Sequence, residues 1–289
     1  MIIDLKYHIA SLVAVFLALA MGILIGTTML GSDAIIEQTK QMAQNLEQDL
    51  AKLRGENTQL TTKVVSLEKS ARDYQQFGRE ILPQLISNRL QGVEVALVET
   101  SNYGFNEDLI KTLQSAGAKI HSTTTISPTF DLSDQAKKQQ IVSFLGMQET
   151  KTEKVMSNLA AQVAQGIVVG DNIASLNYLE EQGLIKKSGE YGVPVNTVII
   201  IGGSQEENTS FAQVVDAPMI AYFVSKGINV FGVEHRDVVN SYMRMYQKHK
   251  ISTVDNVDTV PGEVALIWAM QGKPGDYGVK ETAKSLLPR

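Results

Sequence analysis

IEQTKQMAQNLEQDLAKLRGENTQLTTKVVSLEKSARDY, residues 36–74, is a heptad repeat, and its reading sets the layout of the whole chain. With Leu46 at position d, the a positions are Ile36, Ala43, Leu50, Asn57, Val64 and Ala71, and the d positions are Thr39, Leu46, Leu53, Leu60, Leu67 and Tyr74. A seam this narrow is too thin to face a globular core and suits knobs-into-holes packing between two supercoiled helices. In a parallel, in-register pair each g residue meets the e residue five positions later on the partner. That sets Asp49 against Arg54 and Lys63 against Glu68, and both pairs attract. Asn57 sits at an a position among leucines, where two copies can hydrogen-bond across a dimer axis; this favours two strands in register at some cost in stability. The expected dimer contacts are Leu46, Leu50, Leu53, Asn57, Leu60, Val64 and Leu67. The competing reading is a long amphipathic helix packed on its own C-terminal domain. Gly55, at a solvent-facing f position, weakens the helix by roughly 1 kcal/mol.

Upstream, Ile9 to Leu30 is a run of 22 residues without a charge, interrupted only by Ser11, Thr27 and Thr28. At 1.5 Å per residue it makes about 33 Å of helix, enough to cross a bilayer. A cleaved signal peptide is the rival, because Ala18-Leu19-Ala20 resembles a cleavage site; the apolar run continues well past it, which favours a retained anchor. Lys6 and the terminal amine precede the span, and Asp33, Glu37 and a lone Lys40 follow it, so the N-terminus is expected in the cytoplasm and the bulk of the chain outside it. Small residues recur every fourth position at Ala10, Ala14, Ala18, Gly22 and Gly26, and the GxxxG pair Gly22 and Gly26 is a further expected dimer contact.

Of 289 residues, about 200 remain beyond the N-terminal helices, enough for one substantial core. Lys and Arg number 26 against 31 Asp and Glu, and residues 1–91 balance, so the net charge of −5 belongs to the C-terminal part. A mildly acidic domain argues against nucleic acid as a partner. The absence of cysteine excludes disulfides, thiolate metal sites and cysteine nucleophiles.

Beyond Gln75-Gln76-Phe77-Gly78 the helix either continues or breaks before Pro83. Strands are expected at Val93–Val98, Lys119–Thr123, Val195–Ile201, Ile228–Val233 and Ile251–Val254. Helices are expected at Asn106–Ala116, Ser133–Leu145, Glu153–Gln165, Ser210–Lys226, Val238–Lys248 and Pro261–Gln271, with a polar loop around Pro128. Ile167–Val169 reads equally as a strand or as a continuation of the helical spacing of Val155, Leu159 and Val163. The unbroken apolar run Val195–Ile201 is the kind buried on both faces of a parallel sheet. The fold class expected is α/β: a transmembrane helix (1–32), a parallel coiled coil (33–78), a linker (79–91) and a Rossmann-like, mostly parallel α/β domain (92–289).

In such a sheet a ligand sits beyond the carboxyl ends of the strands, here Glu99–Asn102, Gly202–Ser204, Glu234–Asp237 and Asp255–Asp258. Gly202, Gly203 and Ser204 could cradle an anion, although two glycines after a buried strand also make an ordinary turn. Asp255, Asn256 and Asp258 could hold a hard cation or simply cap the last helix. No GxGxxG follows a strand, and GxxxxGK[ST], GxSxG and HExxH are absent, so no enzyme is expected. Soft-metal candidates are Met243, Met245, His235 and His249, of which Met245 and His249 share a helix face at i, i+4; methionines on a helix are also ordinary core filler.

The run Asp4-Leu-Lys-Tyr-His-Ile-Ala-Ser-Leu-Val-Ala-Val-Phe-Leu-Ala-Leu-Ala-Met-Gly-Ile-Leu-Ile-Gly26, the coiled coil after it, and Ser252-Thr-Val-Asp-Asn-Val-Asp-Thr-Val-Pro-Gly262 together resemble the copper transporter family typified by mycobacterial MctB. The resemblance covers the whole chain. It implies a membrane-attached envelope protein of copper transport or homeostasis, with copper as the implied ion. It also implies the alternative of a non-catalytic scaffold, since relatives are associated with cell separation as membrane partners of a cytokinetic-ring protein. A single span cannot enclose a pore.

Overall fold

The computed structural model describes residues 5–101, 103, 107–127, 132, 134–148, 151–168, 170, 173–206 and 211–289, with backbone alone at 30–32 and 34. The expected limits or site positions at Asn102, Asn106, Pro128, Ser133, Val169 and Ser210 lie outside the described residues. The chain divides into two units, Met1–Asp73 and Tyr74–Arg289.

The first unit is helix throughout its described length, within α1 (Leu5–Ile86). Leu5–Met29 is long and apolar enough to cross a membrane, and none of it is buried. Its hydroxyls are satisfied within the helix: Thr27 Oγ1 donates to the Ile23 carbonyl at 2.9 Å and Thr28 Oγ1 to that of Leu24 at 2.7 Å. Such internal bonds let a hydroxyl enter hydrocarbon without an unmade hydrogen bond. Along the heptad region Leu46, Leu50, Leu53, Leu60, Val64 and Leu67 are 44–70% exposed in the single chain.

The second unit is a seven-stranded sheet between two helical layers. Its strands are β1 (Glu94–Glu99), β2 (Lys119–Ile126), β3 (Ile185–Gly189), β4 (Thr197–Ile201), β5 (Asn229–Val233), β6 (Ser252–Val254) and β7 (Asp276–Tyr277), in the order β3-β2-β1-β4-β5-β6-β7. All neighbours pair parallel except β3, which lies antiparallel on β2. The helices are the end of α1, α2 (Glu107–Ser115), α3 (Gln135–Phe144), α4 (Thr152–Val168), α5 (Ile173–Glu181), α6 (Ala217–Ser225), α7 (Met243–Lys248) and α8 (Val260–Met270). Strand alternation divides the core. Ala96, Val98, Val198 and Ile200 join one apolar cluster with α3–α7, while Val95, Leu97, Ile199 and Ile201 join another with the end of α1, α2 and α8. Central strands are buried on both faces, so every residue of β4 is apolar or a buried threonine.

Two readings left open by the sequence are decided, and two expected helix starts are corrected. α1 runs through Pro83 to Ile86, so the segment taken as a linker begins as helix, with Leu82 and Ile86 buried in the core. Ile167 belongs to α4, where the spacing of Val155, Leu159 and Val163 carries on. The helix expected from Ser210 opens with a π-helical turn, Ala212–Asp216, before α6. The helix expected from Val238 starts only at Met243, because Asn240 makes an antiparallel bridge with Ser204. The strands β3 and β7 and the helix α5 were not anticipated.

Candidate functional site

The strand order reverses between β1 and β4: the chain leaves β1 toward β2 on one side and returns to β4 on the other. In doubly wound sheets the crevice at this reversal is where ligands bind. Here its floor is a network of buried carboxylates and hydroxyls.

Asp216 is fully buried at the end of the π turn. Its Oδ2 accepts from Tyr246 Oη at 2.5 Å and from Thr100 Oγ1 at 3.1 Å, while Oδ1 has no partner among the described residues. Burial pushes its carboxyl up to about 7, against the lowering by those two hydroxyls. Tyr246 bridges α7 to this acid because two glycines make room for its ring: a Cβ at Gly202 would run into its hydroxyl, and one at Gly232 into its ring. Burial, helped by the Asp216 charge, raises the Tyr246 phenol well above its ordinary value and the Tyr242 phenol to about 12.

Glu234, fully buried at the end of β5, accepts from Lys280 Nζ at 2.8 Å, Ser241 Oγ at 2.6 Å and Tyr242 N at 2.9 Å. Burial raises its carboxyl in spite of Lys280. Glu99 closes β1, accepting from Thr125 Oγ1 at 3.0 Å and Ser101 Oγ at 3.3 Å, and burial raises it too. Tyr103 donates to the Gly202 carbonyl, and its ring lies 4.4 Å from that of His235, centroid to centroid. Burial lowers the pKa of His235, whose Nε2 has no partner among the described residues.

The residues singled out from sequence fall here, mostly with backbone duties. Gly202 N donates to the Val233 carbonyl at 2.8 Å and Ser204 N to that of Asn240 at 3.0 Å, so those two amides already have acceptors. Gly203 holds φ at +88°, the left-handed turn that favours glycine. Asp255 accepts from Val279 N at 2.8 Å and Lys280 N at 3.0 Å, clasping the C-terminal segment. Asn256 Nδ2 donates to Thr259 Oγ1 at 3.1 Å; Thr259, not the acids before it, is the N-cap of α8, accepting from Gly262 N at 3.2 Å. Asp258 accepts from Arg236 N at 2.7 Å.

The four soft-metal candidates do not share a face. Met243 is sealed in the α3–α7 cluster and Met245 packs on it, whereas His235 lies against Tyr103, which packs on the opposite cluster. His249 ends α7 as its C-cap. Among the described residues no group of three His, Asp or Glu is arranged to hold a metal ion.

Glu99, Thr100 and Glu234 lie in the strand-end segments that the sequence singles out, whereas Asp216, Tyr242, Tyr246 and Lys280 escaped the sequence reading. One signal was available: Asp216 interrupts an otherwise apolar stretch, Val214 to Val224, where an acid with no local partner needs a distant one.

Comparison with known proteins covers nearly the whole chain. The family described as copper transport outer membrane protein, MctB, matches residues 2–288. The copper transporter MctB of Mycobacterium bovis (strain ATCC BAA-935 / AF2122/97) is 25% identical over 318 aligned positions, covering 98% of this chain and 98% of the relative. The copper transporter MctB of Mycobacterium tuberculosis (strain ATCC 25618 / H37Rv) matches with the same identity and coverage.

Proposed function

This chain belongs to the MctB family, and from that membership we propose that it is a single-pass envelope protein of copper homeostasis that works as a homodimer. The observation that carries the reading is the family match across residues 2–288, which takes in the apolar helix, the heptad region and the α/β domain together. The helix Leu5–Met29 is the membrane anchor. The family description names an outer membrane; we assign the anchor to the cell membrane, because an apolar helix spans a bilayer alone, whereas a sheet with open edges cannot enter one. Lys6 before the span and the acidic residues after it favour a cytoplasmic N-terminus and an extracytoplasmic remainder.

The heptad leucines make a parallel two-stranded coiled coil, and the α/β domain is Rossmann-like in the loose sense of a doubly wound sheet. The reading assigns no catalytic activity. Copper is cargo in this account. The two spanning helices of a dimer cannot enclose a channel, so in this account the protein binds or hands on the ion rather than conducting it. Met245 and His249, one turn apart at the end of α7, are the donors for Cu(I).

A second reading, a scaffold or cell-separation partner that binds another envelope protein, is favoured by one observation: Met243 is sealed in an apolar cluster while His235 lies against Tyr103 beyond the end of β5, so these soft donors are not gathered. The two separate by titrating full-length protein in detergent with Cu(I) against a chromophoric chelator. Micromolar or tighter binding that is lost in Met245→Ala and His249→Ala supports copper handling. No competition with the chelator supports the scaffold.

A further inference from the structure

The outer side of a surface helix is ordinarily its charged side. The outer side of α3 is not. At i, i+3, i+4 spacing it presents Ala136, Gln139, Gln140, Ser143 and Phe144, while Lys138 turns inward and donates from Nζ to Thr152 Oγ1 at 2.9 Å. Phe144 is 53% exposed, and its ring stacks on Tyr178 of α5 with centroids 3.8 Å apart and planes 15° from parallel. These five residues and Tyr178 line an open depression of about 760 Å³. That volume lies within the roughly 300–1,000 Å³ typical of small-ligand sites. The side chains of Gln139, Gln140 and Ser143 are exposed and make no hydrogen bond among the described residues.

We propose that this depression binds a neutral glycan. A pyranose ring has an apolar C–H face and a rim of hydroxyls. Tyr178 covers one face of the Phe144 ring, and the outer face of this 53% exposed side chain is the platform for the first; two amides and a hydroxyl, each able both to donate and to accept, serve the second. With no charge in the lining, nothing favours a phosphate, a nucleic acid or an acidic polymer. A lipid tail or an apolar peptide segment would bury Gln139, Gln140 and Ser143 without partners, at about 1–3 kcal/mol for each group left unsatisfied. The site shares no residue with the Asp216 network and is independent of the copper reading.

The test uses full-length protein in a zwitterionic, sugar-free detergent, titrated calorimetrically with cellohexaose and with chitohexaose. Saturable binding of at least one of them is expected, with a dissociation constant on the order of 1 mM or tighter. Phe144→Ala and Gln140→Glu both change exposed side chains, and each should weaken binding by about tenfold or more with an unaltered thermal melt. The proposal is overturned if neither sugar binds saturably, or if both variants bind as the parent does. It is overturned equally if Phe144→Ala disperses the oligomer in light scattering, which would assign the face to a contact between copies.

Discussion

Replacing Asp216 by asparagine should make the α/β domain's stability less dependent on pH, and the sign follows from the burial of this carboxyl. Its folded pKa is about 7 against an ordinary value of 3.8. The native state therefore holds the proton more tightly, and the stability associated with the protonated form is complete below pH 4 and is lost as pH rises through 7. The difference of about three units, at 1.36 kcal/mol each, sets an upper bound on the order of 4 kcal/mol for the cost of ionising Asp216 in the fold at pH 8. Asparagine keeps an acceptor for Tyr246 and Thr100, carries no charge, and offers an amide where Oδ1 has no partner among the described residues. Asp216→Asn should equal the parent below about pH 4, pull ahead of it from there, and exceed it by about 2–4 kcal/mol at pH 8. The assay is urea unfolding followed by the fluorescence of Trp268, the single tryptophan, which lies between Arg89 and Lys273. Burial also raises Glu99, Glu234 and Glu263, but they are present in both proteins, so the difference between the two isolates Asp216. A gap that stays constant from pH 5 to 8, or a variant weaker than the parent at pH 8, would refute the reasoning.

Arg79 donates to both carboxylate oxygens of Glu263, at 2.9 and 2.8 Å, and Glu263 is fully buried while the arginine side chain is 36% exposed. Arg79→Ala should lower domain stability by about 2–3 kcal/mol, less than for a sealed pair because solvent screens the guanidinium; an unchanged urea midpoint would deny the pair its role. Gly202→Ala pushes a methyl into the Tyr246 hydroxyl and should cost about 1–3 kcal/mol, read as a drop in melting temperature. Gly55→Ala meets nothing within 4 Å and should strengthen α1 by roughly 1 kcal/mol, seen as a later loss of helical circular dichroism on heating.

The central strands were legible because they are buried on both faces, which writes them as apolar runs such as Val195–Ile201. The edges were not. In β3, Ile185-Lys-Lys-Ser-Gly189, only Ile185 is buried, and an edge strand with so few inward side chains has neither a run nor an alternation to read. β7 is two residues long and is defined by its partners, β6 and Ser285. α5 has only three buried residues in nine, too few to write a clear apolar stripe, although Asn172 before it and Gly183 after it are cap residue types. The glycines after β4 read from sequence as either an anion cradle or a turn, and the reason for Gly202 is Tyr246, a residue 44 positions away whose approach no local pattern announces. The same holds for the site: the motif Asp255-Asn256-Val257-Asp258 was visible, and its acid acts as a clasp for residues 279–280 that only the folded chain brings near.

The claim on which the account rests is that two chains run side by side in the same direction along the heptad seam. Because the chain has no cysteine, single substitutions report this cleanly. Leu53→Cys and Asn57→Cys place each thiol beside its own copy in a parallel, in-register pair, and Gly55→Cys at the outer f position does not. Under mild oxidation of membranes carrying the full-length protein, the account predicts covalent dimers from the first two and none from the third. Monomers from all three, or equal cross-linking from all three, would contradict it.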